Sequence, residues 1–488
     1  MSKFTLRCLS MMVSLCLLLL MPVAAFSAGD GGLHDQSVSL GTSLGVYWVI
    51  PFICMLLSIA IGPLATPQFW HHHFGKVAVF WGLAFLAPFA FAYGLPLALY
   101  ELLHTMLLEY MPFIILLFAL FTVAGGIRLK GNLVGTPLVN TGILLAGTVL
   151  ASWMGTTGAA MLLVRPLLRA NAHRRYKVHS VVFFIFLVAN IGGSLTPLGD
   201  PPLFLGFLQG VDFFWTLTHM FLPMLVVSLL LLVLYFMLDT ILYGKEGKPA
   251  GPGGDSGEKL GFDGLVNFPL LACIVACVLF SGIWNPQWEM VIYGIHLELQ
   301  NIVRDALLLG IAGLSWVLTT QKSRELNDFS WGPIQEVAKL FLGIFISMIP
   351  ALAILKAGTA GALAPVIEMV SSNGQPNNVM FFWLTGALSS FLDNAPTYLV
   401  FFNTAGGLAG SSNVAAHLMG EWAPTLLAIS AGAVFMGANT YIGNAPNFMV
   451  RSIAEDMGVK MPSFFGYMAW SIGILIPSFI LVTFLFFL

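Results

Sequence analysis

Two aspartates lie inside long apolar stretches of this sequence, where charged side chains are uncommon. Asp393 is followed by Asn394, and Asp200 follows Gly199. An ionisable side chain at membrane depth is costly, so each aspartate is a functional candidate. A carboxylate withdrawn from water can bind a proton or a metal cation, and competition between the two is the simplest chemistry of exchange. The alternative is that each carboxylate caps the N-terminus of a broken half-helix.

Small polar side chains accompany both aspartates. Hydroxyl and amide oxygens, together with carbonyl groups freed where Gly and Pro interrupt a helix, are the hard ligands that a partly dehydrated cation needs. We expect two clusters, with Asp393 and Asn394 as ligands of Na⁺. The first comprises Ser152, Thr156, Thr157, Asn190, Ser194 and Thr196, the second comprises Ser390, Asp393, Asn394, Thr397, Asn439, Thr440 and Asn444, and Asp200 is the further acid.

Two apolar segments, 137–170 and 378–404, must position these clusters. Each is long enough for two half-spans, and each is interrupted at its middle by small and polar residues, at 152–158 and 389–397. We predict that both are re-entrant hairpins. Their tips must be buried in protein or line an aqueous cavity, because exposed turn backbone cannot face lipid.

A helix broken by glycine and polar residues is predicted after each hairpin. Gly199 and Asp200, with a proline two residues on, match Gly443 and Asn444 in the same setting, at an offset of 443 − 199 = 244. The same pattern at the same place predicts an internal repeat. Each half has five crossings, an odd number, so the second half is predicted to be inverted relative to the first. Inverted repeats place substrate near the midplane, between discontinuous helices.

Composition sets the class of protein. Of 488 residues, 58% are hydrophobic and 9% charged, whereas soluble domains carry about 25% charged residues. The sequence therefore predicts an all-α polytopic membrane protein with about 10 transmembrane helices and two re-entrant hairpins. The predicted spans are 44–64, 77–98, 104–125, 178–210, 214–243, 264–283, 306–321, 332–355, 424–451 and 463–487.

A polar, Gly- and Pro-rich linker at 244–262 separates the two predicted repeats, 44–243 and 263–488. Residues 1–28 have a basic start, a short apolar run and small residues, which predicts a cleaved signal sequence; the alternative is an uncleaved first helix. With the mature N-terminus outside, nearly all loop lysines and arginines fall on the cytoplasmic side. The expected location is a bacterial inner membrane.

Residues 189–202 and 393–397 resemble the ion transporter superfamily. More narrowly they are similar to its NhaD-type Na⁺/H⁺ antiporters and ArsB-type permeases, near citrate-transporter-like proteins, with agreement in layout over about 44–488. The resemblance implies an elevator-type transporter, usually dimeric, whose site includes Asn190, Asp200, Asp393, Asn394 and Asn439. The first hairpin tip departs from the pattern, because it lacks the acidic residue that some relatives carry there.

Three functions remain open. The first is a Na⁺/H⁺ antiporter. The second is a Na⁺- or H⁺-coupled permease for citrate, a dicarboxylate or an oxyanion. The third is a membrane enzyme or receptor, which no catalytic motif in the sequence supports. Two acids at membrane depth favour a cation. We expect no cofactor besides the transported Na⁺ and H⁺, no nucleic acid, and partners limited to small inorganic ions, membrane lipid and a second copy of the chain.

Two histidine features complete the sequence analysis. His179 is a candidate proton-relay or pH-sensing group, although an interfacial position beside Lys177 is the more common explanation. His71, His72 and His73 are expected in a short cytoplasmic loop.

Overall fold

The computed structural model describes residues 30–131, 133–249, 260–411 and 413–488. The predicted signal sequence and positions 250–259 of the predicted linker lie outside the described residues. Within the described part, nine helices are long and apolar enough to cross a membrane. The prediction of an all-α polytopic membrane protein is therefore confirmed, while the number of crossings stays a prediction.

Helices make up most of the described chain. In the first half they are α1 Asp30–Ser43, α2 Ile50–Ala65, α3 Pro67–Tyr93, α4 Leu95–Thr105, the π-helical turn Met106–Tyr110, α5 Met111–Ala124, α6 Pro137–Met154, α7 Thr156–Ala170, α8 Val178–Leu187, α9 Pro201–Leu208 and α10 Phe213–Lys245. In the second half they are α11 Asn267–Ile283, α12 Leu299–Leu318, α13 Gln321–Leu326, α14 Gly332–Lys356, α15 Ala364–Met369, α16 Asn378–Phe391, α17 Asn394–Ala409, α18 Val414–Met419, α19 Ala423–Met436, α20 Ala445–Asp456 and α21 Phe464–Phe486.

Two helix–turn–helix hairpins lie where the sequence predicts breaks. Helix α6 packs against α7 across Gly155, and α16 packs against α17 across Asp393. Gly155 has a φ of 80°, a backbone conformation that residues other than glycine rarely adopt. Each turn therefore separates two helices that fold back on one another. That the hairpins re-enter the membrane from one side stays a prediction.

The two broken helices fold alike. Between α8 and α9 the chain forms a short 3₁₀ turn, Ile191–Leu195, and between α19 and α20 it forms Gly437–Asn439. A Cβ atom on Gly199 would overlap the carbonyl oxygen of Gly193, and one on Gly443 would overlap that of Gly437. These glycine pairs share the offset of 437 − 193 = 443 − 199 = 244 residues. The match in the sequence is thus a match in backbone geometry.

The predicted spans 178–210 and 424–451 are each broken into two helices, as their glycine and polar residues predict. The predicted position of one histidine run is wrong. The three histidines at 71–73 lie in α3, not in a loop, because Pro67 occupies the first turn of that helix, where proline is well tolerated.

The buried apolar side chains form two large clusters. The first core takes its residues from the hairpins, the broken helices, α10 and α21. The second core takes its residues mainly from α1–α5, α11, α12 and α14. Helix α9 belongs to both, since Leu203 lies in the first core and Phe204 in the second. Helix α17 contacts both α9 and α14, so these helices form the boundary between the cores.

Some of the connections between helices contain short, paired strands. Strand β1, Arg128–Lys130, pairs with β2, Gly261–Asp263, as an antiparallel ribbon that ties the end of α5 to the segment before α11. Strands β3, Glu289–Ile292, and β4, Ile295–Glu298, form a hairpin between α11 and α12. A further pair, β5 at Ser371–Ser372 and β6 at Gln375–Pro376, precedes α16.

Candidate functional site

The carboxylate of Asp200 is the point at which both hairpin tips and both helix breaks meet. Its Oδ1 accepts hydrogen bonds from Thr156 Oγ1 at 3.1 Å and from Asn444 Nδ2 at 3.1 Å. Its Oδ2 accepts one from Asn394 Nδ2 at 2.5 Å. Asp200 is only 1% exposed. The two predicted clusters are therefore joined at one buried acid.

Four helix N-termini surround this carboxylate. Thr156 and Asn394 are the first residues of α7 and α17, and Asp200 and Asn444 are the N-caps of α9 and α20. The N-terminus of a helix carries partial positive charge. The arrangement therefore stabilises negative charge at the centre of the site.

The alternative that Asp200 caps its own helix with its side chain is wrong. The two residues after it are prolines, which have no N–H to donate. The N–H of Leu203 bonds the main-chain carbonyl of Asp200 instead, and no side-chain cap bond forms at this helix. The carboxylate is therefore available for partners from other segments.

Asp393 does cap its helix. Its Oδ1 accepts a hydrogen bond from the N–H of Ala395 at 3.1 Å, and the residue is half-buried. Its neighbour in the chain, Asn394, contacts the Asp200 carboxylate. The capping alternative is confirmed for Asp393, and its role as a Na⁺ ligand stays a prediction.

Hydroxyl groups tie each hairpin tip to the break in its own half. Thr196 Oγ1 donates to the carbonyl oxygen of Ser152, and Thr440 Oγ1 donates to that of Ser390. Each threonine also accepts a main-chain N–H two residues on, at 3.2 Å. The contacts of these predicted site residues hold the backbone in place rather than reach Asp200.

Asn190 joins the two halves. Its Nδ2 donates to Asn447 Oδ1 at 2.7 Å and to the carbonyl oxygen of Ile185 at 2.8 Å. Its Oδ1 accepts from Asn444 Nδ2 at 3.3 Å. Asn447 was not among the predicted site residues. A signal for it was present, because it lies one helical turn beyond Asn444.

Two buried amide oxygens at the site lack a hydrogen-bond partner, Asn394 Oδ1 and Asn439 Oδ1. Their orientation follows from their neighbours. Asn394 must turn its nitrogen to the Asp200 carboxylate. Asn439 Nδ2 donates at 2.9 Å to Ser390 Oγ, whose own proton goes to a main-chain carbonyl. Both free atoms are therefore acceptors, which suit a cation.

A family model described as "Putative citrate transport" matches residues 41–487. The chain belongs to this family. The matched region contains both hairpins and both breaks, and therefore every residue of the site. No curated protein matches the sequence. The chain is accordingly a multi-pass membrane protein of a transporter family, and the narrower antiporter or permease branch stays a prediction.

Three predicted residues of this citrate-transport family protein make only local contacts or lie beside the site. Ser194 Oγ donates to the carbonyl oxygen of Ile191 at 2.8 Å, and Thr397 Oγ1 donates to that of Asp393 at 2.9 Å. Thr157 is half-buried next to Thr156. The structure does not bring these side chains to the Asp200 carboxylate.

A buried ionic cluster in the first core was missed by the sequence analysis. Asp239 accepts hydrogen bonds from Arg174 Nη2 at 2.7 Å, His179 Nε2 at 2.9 Å and Asn140 Nδ2 at 3.0 Å. His179 is buried in this cluster, and its interfacial position and its proton-relay role both stay predictions. Asp239 lies near the end of a long apolar span, where the sequence alone suggests an acid exposed at the interface.

Among the described residues, no group of three or more His, Cys, Asp or Glu side chains is placed to hold a metal ion. The polar atoms around Asp200 are carboxylate, amide and hydroxyl groups. Such ligands suit hard cations rather than transition metals.

Proposed function

We propose that this protein is a secondary active transporter that exchanges Na⁺ for H⁺, with Asp200 as the exchanging group. The observation that carries the proposal is the set of free polar atoms. The donors around Asp200 are already directed at its carboxylate, and the buried atoms without partners, on Asn394 and Asn439, are acceptors. A cation fits such oxygens, and a carboxylate substrate is repelled by them.

The charge of Asp200 supports the same proposal. The side chains that contact it are neutral: Thr156, Asn394 and Asn444. A buried carboxylate that no cationic side chain contacts is costly unless it binds a proton or a metal cation. Alternate binding of the two at one carboxylate gives exchange, because each must leave before the other can bind. Asn394 donates to the Asp200 carboxylate through its Nδ2 atom, and its Oδ1 atom has no partner, so a free oxygen lies close to the exchanging acid.

The division of the protein into two cores supports an elevator mechanism. The hairpins and breaks belong to the first core, and α9 and α17 lie at its boundary with the second. We propose that the first core moves as a unit past the second and carries the site across the membrane, in the manner of an elevator. The proposed setting is a bacterial inner membrane, with two copies of the chain forming a dimer.

The second candidate is a Na⁺- or H⁺-coupled permease for citrate or a dicarboxylate. Two observations favour it: the description of the family and the four helix N-termini around the site, which would stabilise an anion. In that case Asp200 or Asp393 would belong to the site of the coupling ion.

Proton flux in proteoliposomes separates the two candidates. The purified protein is reconstituted with an internal pH dye and pulsed with Na⁺, Li⁺, K⁺, citrate or succinate. Under the antiporter proposal, Na⁺ alone drives a pH change, and D200N abolishes it. The matched control is D212N, since Asp212 caps α10 away from the site through Phe214 N and asparagine caps equally well.

Two outcomes would contradict the antiporter proposal. One is silence with every cation, combined with uptake of labelled citrate under a Na⁺ or H⁺ gradient, which supports the permease. The other is full Na⁺-driven flux in D200N. The D393N variant keeps the helix cap, so its flux reports on ion binding by Asp393 rather than on folding.

A further inference from the structure

A stripe of buried polar side chains lies in the second core, outside the proposed ion site. Glu101, Thr105 and Glu109 follow one another at intervals of 105 − 101 = 109 − 105 = 4 residues and are 8%, 6% and 7% exposed. Side chains four residues apart lie on one face of a helix. Two carboxylates buried in an apolar membrane core are costly, and nothing in the proposed exchange at Asp200 uses them.

One end of the stripe reaches the helix that carries Asp200. Glu109 lies in the π-helical turn Met106–Tyr110, and such turns are rare and frequent at functional sites. Its Oε1 atom accepts a hydrogen bond from Gln209 Nε2 at 3.5 Å. Gln209 is the C-cap of α9, and Asp200 is the N-cap of the same helix. An eight-residue helix spans about 12 Å, so Glu109 lies at the boundary of the cores, one short helix from the site.

The other end of the stripe lies beside a cavity of about 400 Å³. Its walls include His34, Tyr100, His104 and His296, and Tyr100 and His104 flank Glu101 on α4. His34 Nδ1 contacts Tyr100 Oη at 3.2 Å. In the predicted orientation this cavity faces the extracytoplasmic side. The polar walls of the cavity therefore give water a route to the Glu101 end of the stripe.

The stripe carries more negative than positive charge. The positive charge of Lys356, from α14, attracts the carboxylates of Glu101 and Glu109, while these two carboxylates repel each other. The Oε1 atom of Glu101 is buried without a hydrogen-bond partner. One lysine cannot neutralise two carboxylates, so the stripe requires at least one further positive charge.

We propose that Glu101, Thr105 and Glu109 form a second proton-binding site, which carries the coupling proton between the histidine-lined cavity and the boundary of the two cores. A hydronium ion in the cavity gives its proton to Glu101 and remains as water, and the proton then passes to Glu109 beside Gln209. The coupling role rests on the proposed function, but binding of the proton by the stripe does not.

The test combines infrared titration with flux on the full-length protein in lipid. Infrared difference spectra between acid and alkaline pH report the carboxyl C=O band, and E101Q and E109Q are each expected to lose one carboxyl from it. Both variants should also lose most of the Na⁺-driven proton flux while binding of ²²Na⁺ in detergent is unchanged. E368Q is the control for flux, because Glu368 is exposed on α15; it should lose one carboxyl from the band and keep wild-type flux. E109D keeps a carboxylate and should retain the band and part of the flux.

Wild-type infrared bands together with wild-type flux in both E101Q and E109Q would overturn the proposal. A loss of ²²Na⁺ binding in these variants would also overturn it, because the glutamates would then belong to the ion site or to the fold. If the wild type shows no Na⁺-driven flux, the proposed function fails. The infrared band then decides separately whether the stripe binds a proton.

Discussion

Two buried aspartates in this protein are compensated in different ways. Asp239 pairs with the guanidinium of Arg174, and both side chains are fully buried. Asp200 contacts neutral donors. A buried carboxylate that is paired with arginine fixes the packing around it. One that has neutral partners keeps its net charge, and it can exchange one cationic ligand for another.

Replacing Arg174 by glutamine is expected to destabilise the protein by about 3–5 kcal/mol, because it leaves buried carboxylates on Asp239 and Glu246 without their cation. Thermal unfolding in detergent measures the loss. R175Q serves as the control, since Arg175 is exposed and stacks on Tyr176, and it should unfold close to the wild-type temperature. Equal effects of the two substitutions would contradict this role for the cluster.

Replacing Asn444 by aspartate would remove a donor from Asp200 and place a second carboxylate within about 3 Å of it, the distance of the present contact. We expect N444D to be less stable than wild type at high pH, where both acids ionise and repel. It should recover as pH falls, because one bound proton restores a hydrogen bond between them. Melting temperatures at several pH values measure this trend, and a pH-independent difference would speak against close contact in the folded protein.

At the scale of elements, the helix breaks depend on glycine at matching places. Gly193 and Gly199 in the first half, and Gly437 and Gly443 in the second, let two main-chain segments touch without a Cβ between them. That contact brings the N-termini of α9 and α20 to the site.

G199A and G443A are each expected to destabilise the protein by about 3 kcal/mol, since the new methyl group would meet main-chain atoms that cannot rotate away. G142A and G473A are the controls, because a Cβ at either position meets nothing within 4 Å. They should be neutral or slightly stabilising, as alanine favours a helix. The yield of folded protein and thermal unfolding measure the four variants.

The sequence predicts these elements well where the chain signals them locally. Gly155 and the run at Asp393 mark the hairpin turns, and the repeated spacing marks both breaks. The sequence predicts less well what depends on tertiary contacts. That Asp239 meets Arg174 from another helix, or that Asn447 meets Asn190, follows from packing between segments far apart in the chain.

At the scale of the whole molecule, a two-stranded ribbon helps to link the halves outside the apolar cores. Asp263 on β2 accepts hydrogen bonds from Lys130 Nζ at 2.8 Å and from Arg128 Nη1 at 3.1 Å on β1. These contacts, that with Lys130 first, hold the pKa of Asp263 below its ordinary value. The ribbon anchors the start of α11 to the end of α5 across the predicted linker.

Because that pKa is lowered on folding, ionised Asp263 contributes stability above its ordinary value of 3.8, and the contribution is lost as pH falls through the lowered value. We therefore expect D263N to unfold at a lower temperature than wild type at pH 7, with a difference that shrinks toward pH 3. High salt should also reduce the difference, since these charges are partly exposed. A difference that persists at low pH would mean that the side chain acts through packing alone.

The class of protein was predictable because composition alone requires lipid as the solvent. The division into two cores was not, because membership depends on which face of each helix is covered. Helix α9 shows the difficulty: Leu203 and Phe204 are neighbours in the sequence and belong to different cores. Uniformly apolar helices carry no polar face from which such a division could be read.

The two breaks share a backbone but not a charge: one has Asp200, and the other has Asn444 at the equivalent place. An assembly of two identical chains would have to place either two acids or two amides in contact there. Two acids would repel, and two amides would leave no group to ionise. The equivalent codons can diverge only when the two halves are encoded separately, so an acid that faces an amide belongs to two different halves and not to an assembly of two equal subunits.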